Sequence, residues 1–196
     1  LLSHLASADE DSAQNHAQQR LFHEQAAASG AKRLSLANSA GIMLGADYHY
    51  DLTRPGLSLY GGIARPEMEA FIKPVARLSA RLLQVRKQPA GAPIGYNATH
   101  ICANDTIVGT ISIGYADGYL RAFSSKGTAH YGATALPVLG RVSMDLVTLD
   151  ISAAPELREG DWVEVEYDLP TASALTGLSQ YELLTNLGTR FERIWR

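Results

Sequence analysis

Cysteine is almost absent: Cys102 stands alone among 196 residues. No internal disulfide framework can form, and such a chain fits a reducing compartment. Long apolar runs are missing too. None approaches the roughly 20 residues that span a bilayer, so no membrane partner is expected. There is no excess of positive charge either. The 17 lysines and arginines against 20 acidic residues leave a net charge of −3, which argues against a nucleic-acid partner. The 6 histidines are scattered, and neither a His-Glu-x-x-His run nor paired cysteines offers a metal site. A nucleotide-type glycine-rich loop and a Gly-x-Ser-x-Gly elbow are lacking. Asp9, Asp117 and Asp145 form no recognisable carboxylate pair. The chain has no initiator methionine, and no basic segment precedes the apolar Leu1–Ala6 stretch as it would in a signal peptide. It is expected to be a piece of something longer.

What is present is an ordinary globular composition, 46% hydrophobic and 19% charged, enough for one or two cores. Two styles of patterning meet near Phe71–Pro74. Before that point, helix and strand signals alternate. Leu1–Ala6 suits a short buried strand. A helix is expected from Asp11 or Ser12 to about Ala28, with Ala17, Leu21 and Ala28 on one stripe and Ser29-Gly30 ending it. Leu34–Ala37 suits the next strand, Asn38-Ser39-Ala40-Gly41 a turn into a short helical stretch, and Thr53–Tyr60 a further strand before Gly61-Gly62. This is the rhythm of parallel βα units. A few such units cannot close a barrel, and their bare strand edges predict poor solubility for the isolated chain.

After Pro74 the period becomes two. Ile107, Gly109, Ile111 and Ile113 share one face of Asp105–Ile113, with Val108, Thr110 and Ser112 on the other. Trp162–Tyr167 alternates in the same way. Pro137–Leu149 is apolar on both faces, which predicts an inner strand. A helix is expected over about Leu178–Leu187, ended by Gly188, and Arg190–Trp195 is a last strand candidate. The fold class read here is α/β followed by a mostly antiparallel β domain.

Several residues sit where chemistry is plausible, each with a plainer reading beside it. Arg54 precedes Pro55-Gly56 at the end of a predicted parallel strand, where barrel enzymes place functional groups and glycine lets backbone approach a ligand; a surface arginine entering a tight turn looks the same. Asn38-Ser39 offer N–H groups, a hydroxyl and a helix start to an anion, or simply cap the helix. Gly56 and Leu57 can add backbone donors. His4 ends the first predicted strand, where it can flank a ring or be satisfied by neighbours. Tyr96 and Tyr115 lie in turns, and a phenol becomes a useful base only when cations or hydrogen bonds stabilise its anion. Met144 can offer a backbone group or pack as core. Tyr181 suits core as well.

Taken in order, the motifs are more specific than any one of them. They run His4-x-Ala-x-Ala-Asp9, Ala37-Asn38-Ser39-Ala40-Gly41, Arg54-Pro55-Gly56-x-x-x-Tyr60-Gly61, Gly95-Tyr96-x-Ala98-Thr99, Gly114-Tyr115-Ala116-Asp117-Gly118, Gly140-Arg141-Val142-Ser143-Met144-Asp145 and Tyr181-Glu182-Leu183-Leu184-Thr185. This set resembles the alanine racemase family, pyridoxal-phosphate enzymes of fold type III, across essentially the whole chain. The resemblance implies that residues 1–72 are the C-terminal remnant of a cofactor-binding (β/α)8 barrel and 73–196 the family's β domain. It implies a cytoplasmic isomerase that interconverts L- and D-alanine for the bacterial cell wall by two-base proton transfer, as a homodimer sharing its sites. His4 would flank the pyridine ring and Arg54 would bond its nitrogen. Asn38, Ser39, Gly56, Leu57 and Tyr181 would hold the phosphate region. Tyr96 would be one base; Tyr96 and Met144 would serve the partner's substrate; Asp9, Tyr115, Arg121 and Arg141 would line the entrance.

Two departures stand out. The Schiff-base lysine of the family's Lys-Ala-Asn-x-Tyr-Gly motif is absent, and Lys32, Lys73, Lys87 and Lys126 sit in other contexts, so the chain alone is expected to be inactive. Ser35 stands where some relatives carry a histidine, a change expected to touch only the entrance. A broader-specificity amino-acid racemase and a non-catalytic dimerisation or binding module are the competing readings.

Overall fold

The computed structural model describes residues 1–195. The chain forms two compact units, Leu1–Val75 and Ala76–Arg196.

The first unit is built on three extended segments joined by isolated parallel bridges, Leu2 to Ser35 and Asn38 to Arg54. Ser3 N–H donates to Ser35 O and Arg54 N–H to Ala37 O. The parallel arrangement matches the βα rhythm, but the predicted strands shrink to these bridges. Thr53–Tyr60 does so most clearly, because Pro55 has no N–H to extend the ladder and the chain coils into a 3-10 turn over Leu57–Tyr60.

Helix α1 spans Ala13–Ser29, started by the Ser12 side chain accepting from Gln14 N–H and stopped by Gly30 at φ 66°. Its buried residues are Asn15, Phe22 and Ala26. The stripe of Ala17, Leu21 and Ala28 is therefore wrong, and Leu21 is 56% exposed. In so alanine-rich a helix one large side chain sets the phase: Phe22 packs edge-on against Tyr50 at 5.0 Å. Helix α2, Ser39–Met43, begins at Asn38, whose Oδ1 accepts from Gly41 N–H at 2.8 Å. The core joins Leu5, Ala8, Phe22, Leu36, Ala37, Ala40 and Tyr48.

The second unit is a β domain. Strands β1 (Leu78–Gln88), β4 (Thr106–Ile111), β5 (Thr128–Tyr131), β6 (Thr134–Pro137), β7 (Val147–Asp150) and β8 (Trp162–Val165) form one sheet in the order β6-β5-β8-β1-β4-β7. The strand pairs are antiparallel. The short strands β2 (Pro93–Ile94) and β3 (His100–Ile101) pair separately. Strand β1 buries Leu78, Ala80 and Leu82 and shifts register between Leu82 and Gln84, pairing with β8 before the shift and largely with β4 after it. The sequence reading missed this strand, because outward Leu83 interrupts the alternation. Val163, Val165 and Tyr167 point inward as expected. On β4, Ile111 joins the main core, while Val108 joins a small second cluster with Ile94, Cys102 and Leu139.

Two expectations fail here, and a third holds with shorter bounds. Pro137–Leu149 is not one inner strand: β6 ends at Pro137, Gly140 turns the chain at φ 68°, and β7 lies at the sheet edge. Leu178–Leu187 is helical only over α4, Gln180–Thr185, because a reciprocal cap between Ser179 and Glu182 fixes its start. A further helix, α3 over Leu169–Thr176, begins at the Asp168 cap with Pro170 in its first turn and ends at Gly177. Arg190–Trp195 forms no strand.

Candidate functional site

In the first unit the extended segments bring His4, Asn38 and Arg54 together. Arg54 lies on the last bridge, and its guanidinium reaches back over the other two segments. Nη1 donates to Ser35 Oγ at 2.6 Å, and Nη2 donates to Ser3 O at 2.7 Å and Leu36 O at 3.3 Å. Three acceptors on two neighbouring segments fix the planar group in one orientation. His4 Nε2 lies 3.4 Å from Asn38 Nδ2.

Ser35 corrects an expectation. It is buried, accepts from Arg54 and donates its own proton to Leu52 O at 2.6 Å. Its role is to seat the guanidinium, so the serine does more than face an entrance.

Just beyond Arg54, backbone donors converge. Gly56 N–H donates to Ser39 Oγ at 2.9 Å and Ser58 N–H to the same oxygen at 3.3 Å, and the Ser58 hydroxyl lies 3.1 Å from it. Two N–H groups and two hydroxyls around one point, with no carboxylate among them, are a donor set suited to a phosphate oxygen. Leu57, buried, lies between the two donors. Asp9 is exposed on the turn that follows His4.

Sequence reasoning missed Arg65, whose side chain is buried. Its Nη1 donates to Ala8 O at 3.0 Å, and Nη2 pairs with Asp11 and with Glu67. The hydrogen bonds it donates to Glu67 and then to Asp11 raise its pKa above the usual range. It anchors the segment carrying Asp9 and the start of α1. An arginine before proline carries no sequence signal for such a role.

In the second unit Tyr96 is 62% exposed on a strained loop. Asn97 and Ala98 take φ of 59° and 48°, a left-handed conformation unfavourable for alanine. Strain held beside an exposed tyrosine is an arrangement that functional loops tolerate. The loop abuts the segment bearing Arg141: a Cβ built on Gly95 would lie 3.6 Å from Arg141 N. Arg141 is exposed.

Tyr115 and Met144 occupy turns joined back to back. Tyr115 N–H donates to Ser143 O at 3.0 Å and Ala116 N–H to Met144 O at 2.9 Å. Arg121 lies over the Tyr115 ring, 5.1 Å from its centroid. The Met144 side chain is 53% exposed, so the core alternative fails. Tyr181 is half-exposed on α4, so it is not core either. Lys32 and Lys73, the lysines of the first unit, are both exposed. Among the described residues, no group of three His, Cys, Asp or Glu can hold a metal ion. No helix there is long and apolar enough to cross a membrane.

Comparison with known proteins adds an independent line. The family described as "Alanine racemase, N-terminal domain" matches residues 1–64, and "Alanine racemase, C-terminal domain" matches residues 75–195. The chain is 39% identical to an alanine racemase of Acidiphilium cryptum, covering 99% of this chain and 56% of that protein. It is 42% identical to a catabolic alanine racemase of Agrobacterium fabrum, covering 98% of this chain and 51% of that protein. A crystal structure of alanine racemase from Bartonella henselae, with covalently bound pyridoxal phosphate, superposes with a TM-score of 0.91 at 37% identity. That match covers 99% of this chain and 55% of the Bartonella chain. The chain thus spans about half the length of the relatives it matches.

Proposed function

The chain belongs to the alanine racemase family, and from that premise we propose that it is the C-terminal part of an enzyme interconverting L- and D-alanine with pyridoxal 5'-phosphate. Residues 1–72 are the end of the cofactor-binding barrel and 73–196 the β domain. The observation that carries this reading is the seating of Arg54 immediately before the donors that converge on Ser39. A fixed, permanently charged guanidinium suits a pyridine nitrogen kept unprotonated, and the N–H and hydroxyl set suits a phosphate.

Each residue then has a task. Arg54 holds the ring nitrogen, with His4 beside the ring. Ser39, Gly56 and Leu57 hold the phosphate, with Asn38 shaping the turn. The cofactor supplies, when bound, the electron sink that lets the α-proton of alanine leave. Tyr96 Oη moves that proton on one face of the substrate. A lysine from outside this chain serves the other face, since none of Lys32, Lys73, Lys87 and Lys126 lies in the family's lysine motif. Two copies share their sites, Tyr96 and Met144 serving the partner's substrate, while Tyr115, Arg121 and Arg141 border the entrance.

The test is reconstitution. This chain is co-expressed with a separate polypeptide matching the part of its relatives that it does not cover. Conversion of L- to D-alanine and a cofactor absorbance band are expected from the co-purified pair and from neither chain alone. A stable pair with neither conversion nor band would refute the reading.

A further inference from the structure

Arg190 has no part in the roles above, yet it ties together turns that do. Its Nη1 donates to Asp145 Oδ1 at 2.6 Å, and its Nε lies 3.1 Å from Asp117 Oδ1. Asp145 directly follows Met144. Asp117 ends the turn that begins at Gly114, and its Oδ2 accepts from Gly114 N–H at 2.9 Å. The Asp117 side chain is 8% exposed, so one carboxylate binds its own turn from inside and takes Arg190 on its other oxygen.

The backbone around Arg190 converges on the same place. Gly188 N–H donates to Asp117 O at 3.0 Å. A Cβ on Gly118 would lie 2.3 Å from Asn186 O, so the segment after α4 rests directly on the turn. Tyr167, its phenol pushed above the ordinary range by burial, donates to Leu183 O at 3.0 Å, with Gly118 O 3.4 Å from the same hydroxyl. Three stretches of chain, 114–118, 143–146 and 186–190, therefore meet at one guanidinium. The first two carry Tyr115 and Met144, and the third follows the helix carrying Tyr181.

We propose that Arg190 is a positioning residue: by bridging Asp117 and Asp145 it fixes the Met144 backbone against the Tyr115 turn, and so sets the substrate-facing edge of the β domain. The functional meaning of that edge rests on the racemase reading; the clamp itself does not. A planar fork reaches the two carboxylates from two separate nitrogens held in fixed geometry, which a single ammonium nitrogen does not reproduce. Without it, the turns keep only their backbone bonds, Tyr115 N–H to Ser143 O and Ala116 N–H to Met144 O.

Amide hydrogen exchange on the chain without cofactor or substrate tests this, so a failure of the racemase reading leaves the result interpretable. In Arg190→Met, exchange at Tyr115 and Ala116 is expected to rise about tenfold, while β1 and β8 amides keep their protection. Asp145→Asn should raise the same two amides, and Arg190→Lys, holding one carboxylate, should fall between. If Arg190→Met fails to fold, Asp145→Asn decides the matter alone. Unchanged exchange at Tyr115 and Ala116 in a folded variant overturns the proposal. So does a rise shared equally by the core strands, which would make Arg190 a general stabiliser.

Discussion

Alanine at Gly114 is expected to destabilise the second unit by about 3 kcal/mol, near the upper end of overpacking costs. The cause is contact, since φ at this residue is −159°, extended backbone open to any side chain. An added Cβ would lie 2.3 Å from Met144 O and 2.5 Å from both Met144 C and Ser143 O. All three atoms are backbone, so no flexible side chain can yield. The Met144 turn can move away only by giving up its bonds from Tyr115 and Ala116. Urea unfolding of the chain checks this through the midpoint at constant slope. Gly132→Ala is the control: its φ is 57° but nothing lies within 4 Å of the added Cβ, so only the left-handed cost of roughly 1–2 kcal/mol should appear. A Gly114→Ala cost below the control's would contradict the contact geometry.

Methionine at Arg54 is expected to lower racemisation by the reconstituted enzyme about 10²- to 10³-fold, the range seen when one preorganised donor is lost from a reaction centre. It should also destabilise the first unit by about 2 kcal/mol, because Ser3 O, Leu36 O and Ser35 Oγ lose a charged donor. Lysine should rescue little of the activity, since an ammonium cannot span Ser35 and Ser3 while facing a ring. Ser35→Ala provides the graded comparison. It removes one of the three anchors and leaves the charge, so its loss should be about tenfold. Steady-state rates for the three variants decide the order. Arg54→Met activity equal to that of Ser35→Ala would contradict a direct role for the guanidinium.

Much of this was legible in the sequence where residue type and backbone demand coincide. Ser12 and Gly30 delimit α1 because a hydroxyl cap and a left-handed stop are local requirements. Trp162–Tyr167 reads correctly because a strand with one face buried must alternate. Legibility fails where long-range contacts decide. The face of α1 depends on Phe22 meeting Tyr50, which an alanine-rich stretch does not announce. Pro137–Leu149 looks like one strand because Val138, Leu139, Val142 and Val147 are all buried, but they are buried on either side of a turn at Gly140. In the site, the motifs named Arg54 and Ser39, but not what they touch. Ser35 looks peripheral from the resemblance, where some relatives carry a histidine, and its sequence names no partner; 19 residues separate it from Arg54. Arg190 was hidden for the same reason, being 45 residues from Asp145.

The proposed racemase requires that Arg54 and the donors around Ser39 hold a phosphorylated pyridine. Pyridoxine 5'-phosphate keeps the ring nitrogen and phosphate but has no aldehyde to react with stray lysines. Titrating it into the isotope-labelled chain while following backbone amide and arginine side-chain resonances tests the claim most directly. Saturable shifts are predicted at Ser39, Gly56, Ser58 and the Arg54 side chain, and much weaker ones with unphosphorylated pyridoxine. Silence at those four positions, or equal shifts with both compounds, would contradict it.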